Sequence, residues 1–205
     1  MKYSKMLGLA AVAAVALVAI VGAGSASATP TVLCKENNTE CTKAGKTYGA
    51  MTAFKATVDK ALVFKFDLGG GVTYSYTCTT STMEGEITNA GGAGNVLINL
   101  ETFTLTNCTC PETTVLNAPS LAVAFVPGTM NGELTSAGMN VTFKCMGHCR
   151  YGDGVIGTLT GGAMGTIDLA GSLKRLEGGA FCPASASWSG SYTVTAPEPV
   201  WVAEK

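Results

Sequence analysis

The residues best suited to chemistry are the eight cysteines and the single histidine of this 205-residue chain. Cys108 and Cys110 form a C-x-C pair, and Cys145 and Cys149 flank His148. Thiolates and an imidazole could hold zinc, which needs four ligands such as Cys110, Cys145, His148 and Cys149. The C-x-C and C-x3-C spacings differ from the usual C-x2-C pairs. We therefore predict no metal site and no cofactor, and a Cys/His metal-binding module is kept as the second alternative.

Catalysis by side chains would need a nucleophile beside a histidine, or two paired carboxylates. His148 lies in a tight loop between two cysteines, which favours an exposed loop histidine. Nothing in their spacing selects a pair among the candidate carboxylates, which are Asp67, Glu84, Glu86, Glu101, Glu133, Asp153 and Asp168. We predict no catalytic residue, and a secreted carboxylate-type hydrolase is the first alternative function.

Aromatic side chains offer a third kind of site, because rings stacked on a sheet can bind sugars or peptides. Strand alternation predicts that four of them face the core: Tyr74, Tyr76, Trp188 and Tyr192. Trp201 lies beyond the last prolines and is the best candidate for an exposed contact. An extracellular glycan or protein is the kind of ligand such a surface would bind.

The element that must organise these residues is the alternating run over residues 184–196. Its even positions are Ala, Trp, Tyr, Val and Gly, and its odd positions are all Ser or Thr. A strand turns successive side chains to opposite faces, so this run predicts one apolar face and one hydroxyl face. Thirteen residues would span about 40 Å, which is long for a strand and requires partner strands.

Other alternating runs supply those partners. Residues 52–66 predict a hairpin turning at Asp59 and Lys60, with a short helix over residues 51–62 as the competing interpretation. The apolar parity switches within residues 95–106, which predicts a β-bulge near Glu101 and Thr102. Roughly ten short strands with turn signals between them predict an all-β, disulfide-stabilised fold, an antiparallel β-sandwich or flattened barrel.

The N-terminus predicts export. Lys2 and Lys5 precede an uncharged apolar stretch, and Ala26-Ser27-Ala28 is a small-residue cleavage site. We predict a signal peptide over residues 1–28 that is cleaved after Ala28, with an uncleaved anchor as the alternative. Residues 29–50 are expected to be irregular, with a local disulfide closing the loop between Cys34 and Cys41, and residues 51–205 to form one domain.

Charge and cysteine content agree with an exported protein. Charged residues are 13% of the chain and the net charge is −1, so the sequence carries no basic patch for nucleic acid or for a membrane surface. An even number of cysteines in an exported chain predicts a disulfide framework, although spacing alone leaves its connectivity open.

The closing segment resembles a known family. Residues 181–197 read F-C-P-A-S-A-S-W-S-G-S-Y-T-V-T-A-P, which is similar to the signature C-P-x-S-A-x-W-x-G-x-Y-T-V-T-x-P of exported, uncharacterised actinobacterial β-rich proteins. The segment around Cys78, Y-T-C-T-T-S-T, resembles the first cysteine strand of that family. The resemblance implies secretion and a β fold, and it implies no activity.

The same resemblance suggests a disulfide pattern. Members of the family often keep only the cysteines that match Cys78, Cys108, Cys145 and Cys182, which implies that Cys34 pairs with Cys41 and Cys110 with Cys149. Within the core four, the expected pairs are Cys78 with Cys108 and Cys145 with Cys182. The leading functional hypothesis is a non-catalytic extracellular or cell-envelope protein that acts by display or binding.

Overall fold

A computed structural model describes residues 30–37, 41 and 45–205 of the chain. The predicted signal peptide and its cleavage site lie outside the described residues. The described part holds strands and no helix, so it contains no helix long and apolar enough to cross a membrane. In chain order its strands are β1 (Thr31–Cys34), β2 (Thr52–Asp67), β3 (Thr73–Ile87), β4 (Val96–Cys108), β5 (Thr113–Asn117), β6 (Ser120–Phe125), β7 (Asn131–Ala137), β8 (Asn140–Phe143), β9 (Cys149–Gly152), β10 (Gly154–Thr160), β11 (Thr166–Glu177), β12 (Ser185–Ala196) and β13 (Trp201–Glu204).

Strands β2 to β12 form an antiparallel meander that closes on itself. The pairs β5 and β6, β7 and β8, and β9 and β10 are each separated by only one or two residues, so each pair follows one path along the wall. With β2, β3, β4, β11 and β12 this makes eight antiparallel paths, and β12 pairs with β2 to close the ring. The all-β prediction is therefore confirmed, in the form of a barrel built from more strands than the roughly ten expected.

The two ends of this barrel differ. At the closed end, β6, β7 and β10 complete an unbroken ring of eight hydrogen-bonded strands. At the open end the wall is completed by β5, β8 and β9 together with the loops at residues 68–72, 109–112, 144–148 and 178–184. There β5 pairs with β8 but not with β4, which leaves a seam between β4 and β5.

The seam begins where β4 carries its bulge. Glu84 is opposite Thr102 and Gly85 is opposite Leu100, so Glu101 is the extra residue and the predicted bulge is confirmed. Next to it, the amide of Leu100 donates to the carbonyl oxygen of Pro119 at 3.2 Å. Beyond that point β4 and β5 run side by side without pairing.

Disulfide bonds hold the two sides of the seam. Cys108 at the end of β4 bonds Cys78 on β3, whereas Cys110, two residues later, bonds Cys145 beyond β8. The two cysteines of the C-x-C motif are therefore bonded to opposite sides of the seam. Cys108 holds β4 to β3, and Cys110 holds the start of β5 to the end of β8. The other two bonds join Cys34 to Cys41 and Cys149 to Cys182.

Two of the four expected disulfide pairs are confirmed and two are wrong. The bonds Cys34–Cys41 and Cys78–Cys108 form as expected, but the expected Cys110–Cys149 and Cys145–Cys182 exchange partners. Between Cys145 and Cys149 the chain reverses through left-handed Gly147 and His148, with φ of 96° and 63°. Cys145 is thereby exposed beside Cys110, while Cys149 is buried beneath the 178–184 loop.

The closed end is covered by a two-stranded ribbon of β1 and β13. All four residues of β1 are buried, and Leu33, opposite Val202, packs into the main core. Thr31 Oγ1 accepts a 2.9 Å hydrogen bond from the Phe125 amide. Gly161 must be a glycine here, because a Cβ would lie 2.5 Å from the carbonyl oxygen of Met130. Residues 29–50, expected to be irregular, thus contribute a strand, since apolar Val32 and Leu33 find a partner only at the far end of the chain.

The interior is filled by the inward faces of the paths. Ala186, Trp188, Tyr192 and Val194 of β12 are buried, as the alternation predicted. Tyr192 is fully buried at mid-barrel, and its oxygen lies 2.6 Å from Ser81 Oγ. Ser81 donates its single hydrogen to the Thr104 carbonyl oxygen at 2.5 Å, so Tyr192 is the donor to Ser81.

One predicted turn is wrong. Residues expected to turn at Asp59 and Lys60 continue as a single strand, β2, and the helical alternative over residues 51–62 does not form either. Both neighbours, β3 and β12, pair along most of β2, so the wall holds it extended. A register shift between Thr57 and Leu62 absorbs the irregular stretch as a bulge.

Candidate binding site

The open end carries an apolar cavity of about 330 Å³, here called the mouth pocket. Three of the open-end loops and the start of β3 supply its lining, which consists of Leu68, Tyr74, Tyr76, Cys145, Met146, Gly147 and Phe181. Tyr74 is 48% exposed and Phe181 is 75% exposed. Exposed rings around a preformed apolar cavity are typical of a site that binds something.

The β2–β3 turn positions Leu68 and Tyr74. The Gly69 amide donates to Asp67 Oδ1 at 2.8 Å, and the Val72 amide donates to the Gly69 carbonyl oxygen at 3.1 Å. All three glycines of this turn have φ between 61° and 82°, a region that glycine enters without strain. The Gly69-Gly70-Gly71 run therefore makes a tight turn that leaves apolar side chains on either side of it at the mouth.

The loop that carries Phe181 is held in place by residues of β9 and β11. Cys182 is bonded to Cys149 of β9, and the guanidinium of Arg175 donates to the Cys182 carbonyl oxygen. The Tyr151 hydroxyl donates to the Pro183 carbonyl oxygen at 3.0 Å. Burial raises the pKa of Tyr151 to about 12, and the charge of Arg175 opposes part of that rise. The backbone beside Phe181 is thus held while its ring stays in solvent.

Beneath the pocket lies a column of aromatic rings. Tyr76 stacks on Phe143 with ring centroids 6.1 Å apart and an interplanar angle of 18°, and it contacts Phe66 at 5.6 Å. Phe64 continues the column from Phe143, at 4.9 Å, to Trp188, at 5.8 Å. Packed rings such as these have few alternative arrangements, so the floor of the pocket is preformed.

The aromatic predictions are confirmed in part. Trp188 and Tyr192 are buried and Tyr76 is half-buried, but Tyr74, expected in the core, is exposed. It stands at the start of β3, where the strand passes the mouth of the barrel and the described residues leave 48% of it in solvent. Trp201, expected to be exposed, is half-buried because β13 packs it against Val32 and Cys34.

The cysteines of the metal hypothesis come together as disulfides. Cys110 and Cys145 are bonded to each other and Cys149 is bonded to Cys182, so none of the three offers a thiolate. His148 is exposed on the 144–148 loop. Among the described residues no three His, Cys, Asp or Glu side chains gather as metal ligands.

The seven candidate carboxylates are dispersed, and none of them lines the mouth pocket. Glu84 forms an ion pair with Lys55 at 2.6 Å on the outer face of the barrel. Asp153 accepts the Met139 amide at 3.0 Å between β9 and β10, and Asp67 caps the β2–β3 turn described above. The remaining four, Glu86, Glu101, Glu133 and Asp168, are exposed or half-buried.

Four lining residues were missed by the sequence analysis: Gly147 and three with large apolar side chains, Leu68, Met146 and Phe181. Two of the three apolar residues directly precede a glycine, Leu68 before Gly69 and Met146 before Gly147. An apolar residue placed at a turn has no neighbouring strand to cover it, and that pattern is the signal that could have identified them. Phe181, next to Cys182, carries no such mark.

Comparison of the chain with family models, curated proteins and solved structures finds no match.

Proposed function

We propose that this chain is a secreted extracellular or cell-envelope binding protein whose mouth pocket takes an apolar group of a small ligand without catalysing a reaction on it. The observation that carries the proposal is the exposure of Tyr74 and Phe181 over a preformed apolar cavity. Burying such surface is favourable by roughly 25 cal/mol per Å², so an apolar ligand would gain affinity simply by covering it.

The composition of the lining supports binding rather than catalysis. The seven lining residues present rings, an aliphatic chain, a thioether and a disulfide sulfur. They include no carboxylate, histidine or aliphatic hydroxyl that could serve as a nucleophile or as a general base. A carboxylate hydrolase would instead need two acids facing one cavity.

Extracellular location is supported by separate features. Four disulfides are typical of proteins from oxidising compartments. The predicted signal peptide and the resemblance of residues 181–197 to exported actinobacterial proteins point the same way. Export also fits the site, because three of the four disulfides hold the open end in shape without a ligand.

The test is a titration of the purified exported protein with N-phenyl-1-naphthylamine, a neutral apolar dye that fluoresces in a dry environment. We expect saturable enhancement, and at least about tenfold weaker binding to a Tyr74→Ser, Phe181→Ser variant, because two apolar walls are lost. The matched control is Leu116→Ser, Leu176→Ser, which changes two exposed apolar residues that do not line the pocket. Equal binding by both variants, or no enhancement at all, would refute the proposal.

A further inference from the structure

We infer that the ligand of the mouth pocket is electrically neutral and carries an oxygen that hydrogen-bonds to the hydroxyls of Tyr74 and Tyr76. This inference rests on the proposed function, because it specifies the chemical class of ligand for the same pocket. A ring or a short chain bearing an alcohol, ketone or ester would meet the description.

The lining supplies no partner for a charge. The lining contains no Asp, Glu, His, Lys or Arg side chain. The two nearest charged residues along the chain have opposite signs, Asp67 before Leu68 and Lys144 before Cys145. Asp67 also already accepts the Gly69 amide. Burying an unpaired charge is costly, and flanking charges of opposite sign favour neither an anion nor a cation.

The lining does supply hydrogen bonds. Tyr74 and Tyr76 are two residues apart on β3, so their side chains lie on the same face of the strand. Among the described residues neither hydroxyl has a hydrogen-bond partner, unlike Tyr48, Tyr151 and Tyr192, which all do. Phenol oxygens at the edge of an apolar cavity are the polar handle that fixes the orientation of a ligand.

Tyr76 is the better fixed of the two. Its ring is held against Phe143 and Phe66, so its hydroxyl has a defined direction. A phenol is already protonated at physiological pH, and burial, then the neighbouring Tyr74, raise the pKa of Tyr76 further. Tyr74 is half exposed and can adjust its rotamer to the ligand. The pair can therefore donate to a carbonyl or accept from a hydroxyl group.

The experiment compares four compounds that share one apolar body: naphthalene, 2-acetylnaphthalene, 2-naphthoate and 2-naphthyltrimethylammonium. Each displaces N-phenyl-1-naphthylamine from the exported protein, which gives four dissociation constants. We expect 2-acetylnaphthalene to bind at least about fivefold more tightly than naphthalene, and both charged compounds to bind more weakly than 2-acetylnaphthalene. Tighter binding of the carboxylate or of the ammonium ion would overturn the inference.

A Tyr74→Phe, Tyr76→Phe variant tests the role of the two hydroxyl groups directly. It keeps both rings, and the readout is the ratio of two dissociation constants measured on the same variant: the preference for 2-acetylnaphthalene over naphthalene should fall to about twofold or less. Tyr48→Phe is the matched control, because Tyr48 hydrogen-bonds to Pro199 away from the pocket, and it should keep the full preference. An unchanged preference in the double variant would overturn the inference alone, whereas failure of every compound to bind would refute the proposed function.

Discussion

The two ends of one barrel wall are stabilised by different means. The closed end has a complete ring of strand pairs and is covered by the β1–β13 ribbon. Among the described residues, the open end lacks one strand pair and carries no such ribbon. Three of the four disulfides lie there: Cys78–Cys108, Cys110–Cys145 and Cys149–Cys182. Covalent bonds thus take the place of hydrogen bonds and burial where the wall must stay open.

This division has a functional consequence. A covered end buries its apolar residues and leaves nothing for a ligand, whereas an uncovered end leaves rings such as Tyr74 and Phe181 in solvent. Disulfides constrain loops without filling the space between them. The loops of the open end can therefore be rigid and still surround a cavity, whereas packed side chains would fill that cavity.

The largest expected effect is the loss of unfolding free energy when a disulfide is removed, which should be greater at the open end than at the closed end. Cys149→Ala, Cys182→Ala opens a link between residues 33 apart, and Cys34→Ala, Cys41→Ala opens one between residues 7 apart. Loop-closure entropy predicts losses of about 4 and about 2 kcal/mol in the free energy of unfolding. Urea titration of both variants measures the difference. A loss at the closed end that equals or exceeds the loss at the open end would contradict the comparison.

The next effect compares a residue of the β1–β13 ribbon with a residue of the open end. Leu33→Ala removes a buried side chain from the ribbon and should cost about 3 kcal/mol of unfolding free energy, because a cavity remains in the core. Val72→Ala shortens an apolar side chain at the open end that is 51% exposed, and should cost less than about 0.5 kcal/mol. Thermal unfolding of the two variants measures both losses of stability. Similar losses would mean that the ribbon does not stabilise the closed end more than the exposed side chains stabilise the open end.

A smaller effect concerns the seam. The residues of β4 whose side chains face inward direct their amide and carbonyl groups toward β6 and β5. Leu100 is an example, because its amide donates to Pro119, which lies between β5 and β6 in the chain. Ile98 has a partner in β6, but Phe103 and Leu105 have none in β5. Their amides should exchange with deuterium at least about tenfold faster than that of Ile98, because no ladder bond protects them. Exchange followed by NMR checks this, and equal protection would show that the seam is closed in solution.

The smallest effect is at mid-barrel. Tyr192→Phe removes one hydrogen bond but leaves Ser81 bonded to Thr104, so the expected loss is about 1 kcal/mol at neutral pH. Burial raises the pKa of Tyr192 above the usual 10.0. The folded state therefore keeps a proton that the unfolded chain releases above pH 10, and wild-type stability falls there.

The Phe variant lacks that group, so the difference between the two proteins should shrink as the pH rises above 10. Urea midpoints of the wild-type protein and of the Tyr192→Phe variant, at neutral and alkaline pH, measure this difference. A difference that grows with pH would contradict the assigned direction of the pKa shift.

Much of the wall could be predicted from the sequence. The alternation over residues 184–196 gives the inward face of β12, and the parity switch in residues 95–106 gives the bulge at Glu101. Both are local signals, because a strand has a fixed period of two. Asp59 and Lys60 misled the same reasoning, since a local turn signal is overridden when both neighbouring strands continue.

The sequence by itself determined most of the strands, the inward face of β12, the bulge of β4 and the pairing of Cys34 with Cys41, all of which depend on neighbours along the chain. Only the tertiary structure decided which end of the barrel is covered, how Cys110 and Cys149 are bonded, and that Leu68, Tyr76 and Phe181 meet at one pocket. These outcomes depend on contacts between residues far apart in the chain. A pattern with a period of two says which face a side chain takes, but it does not say which distant segment lies opposite.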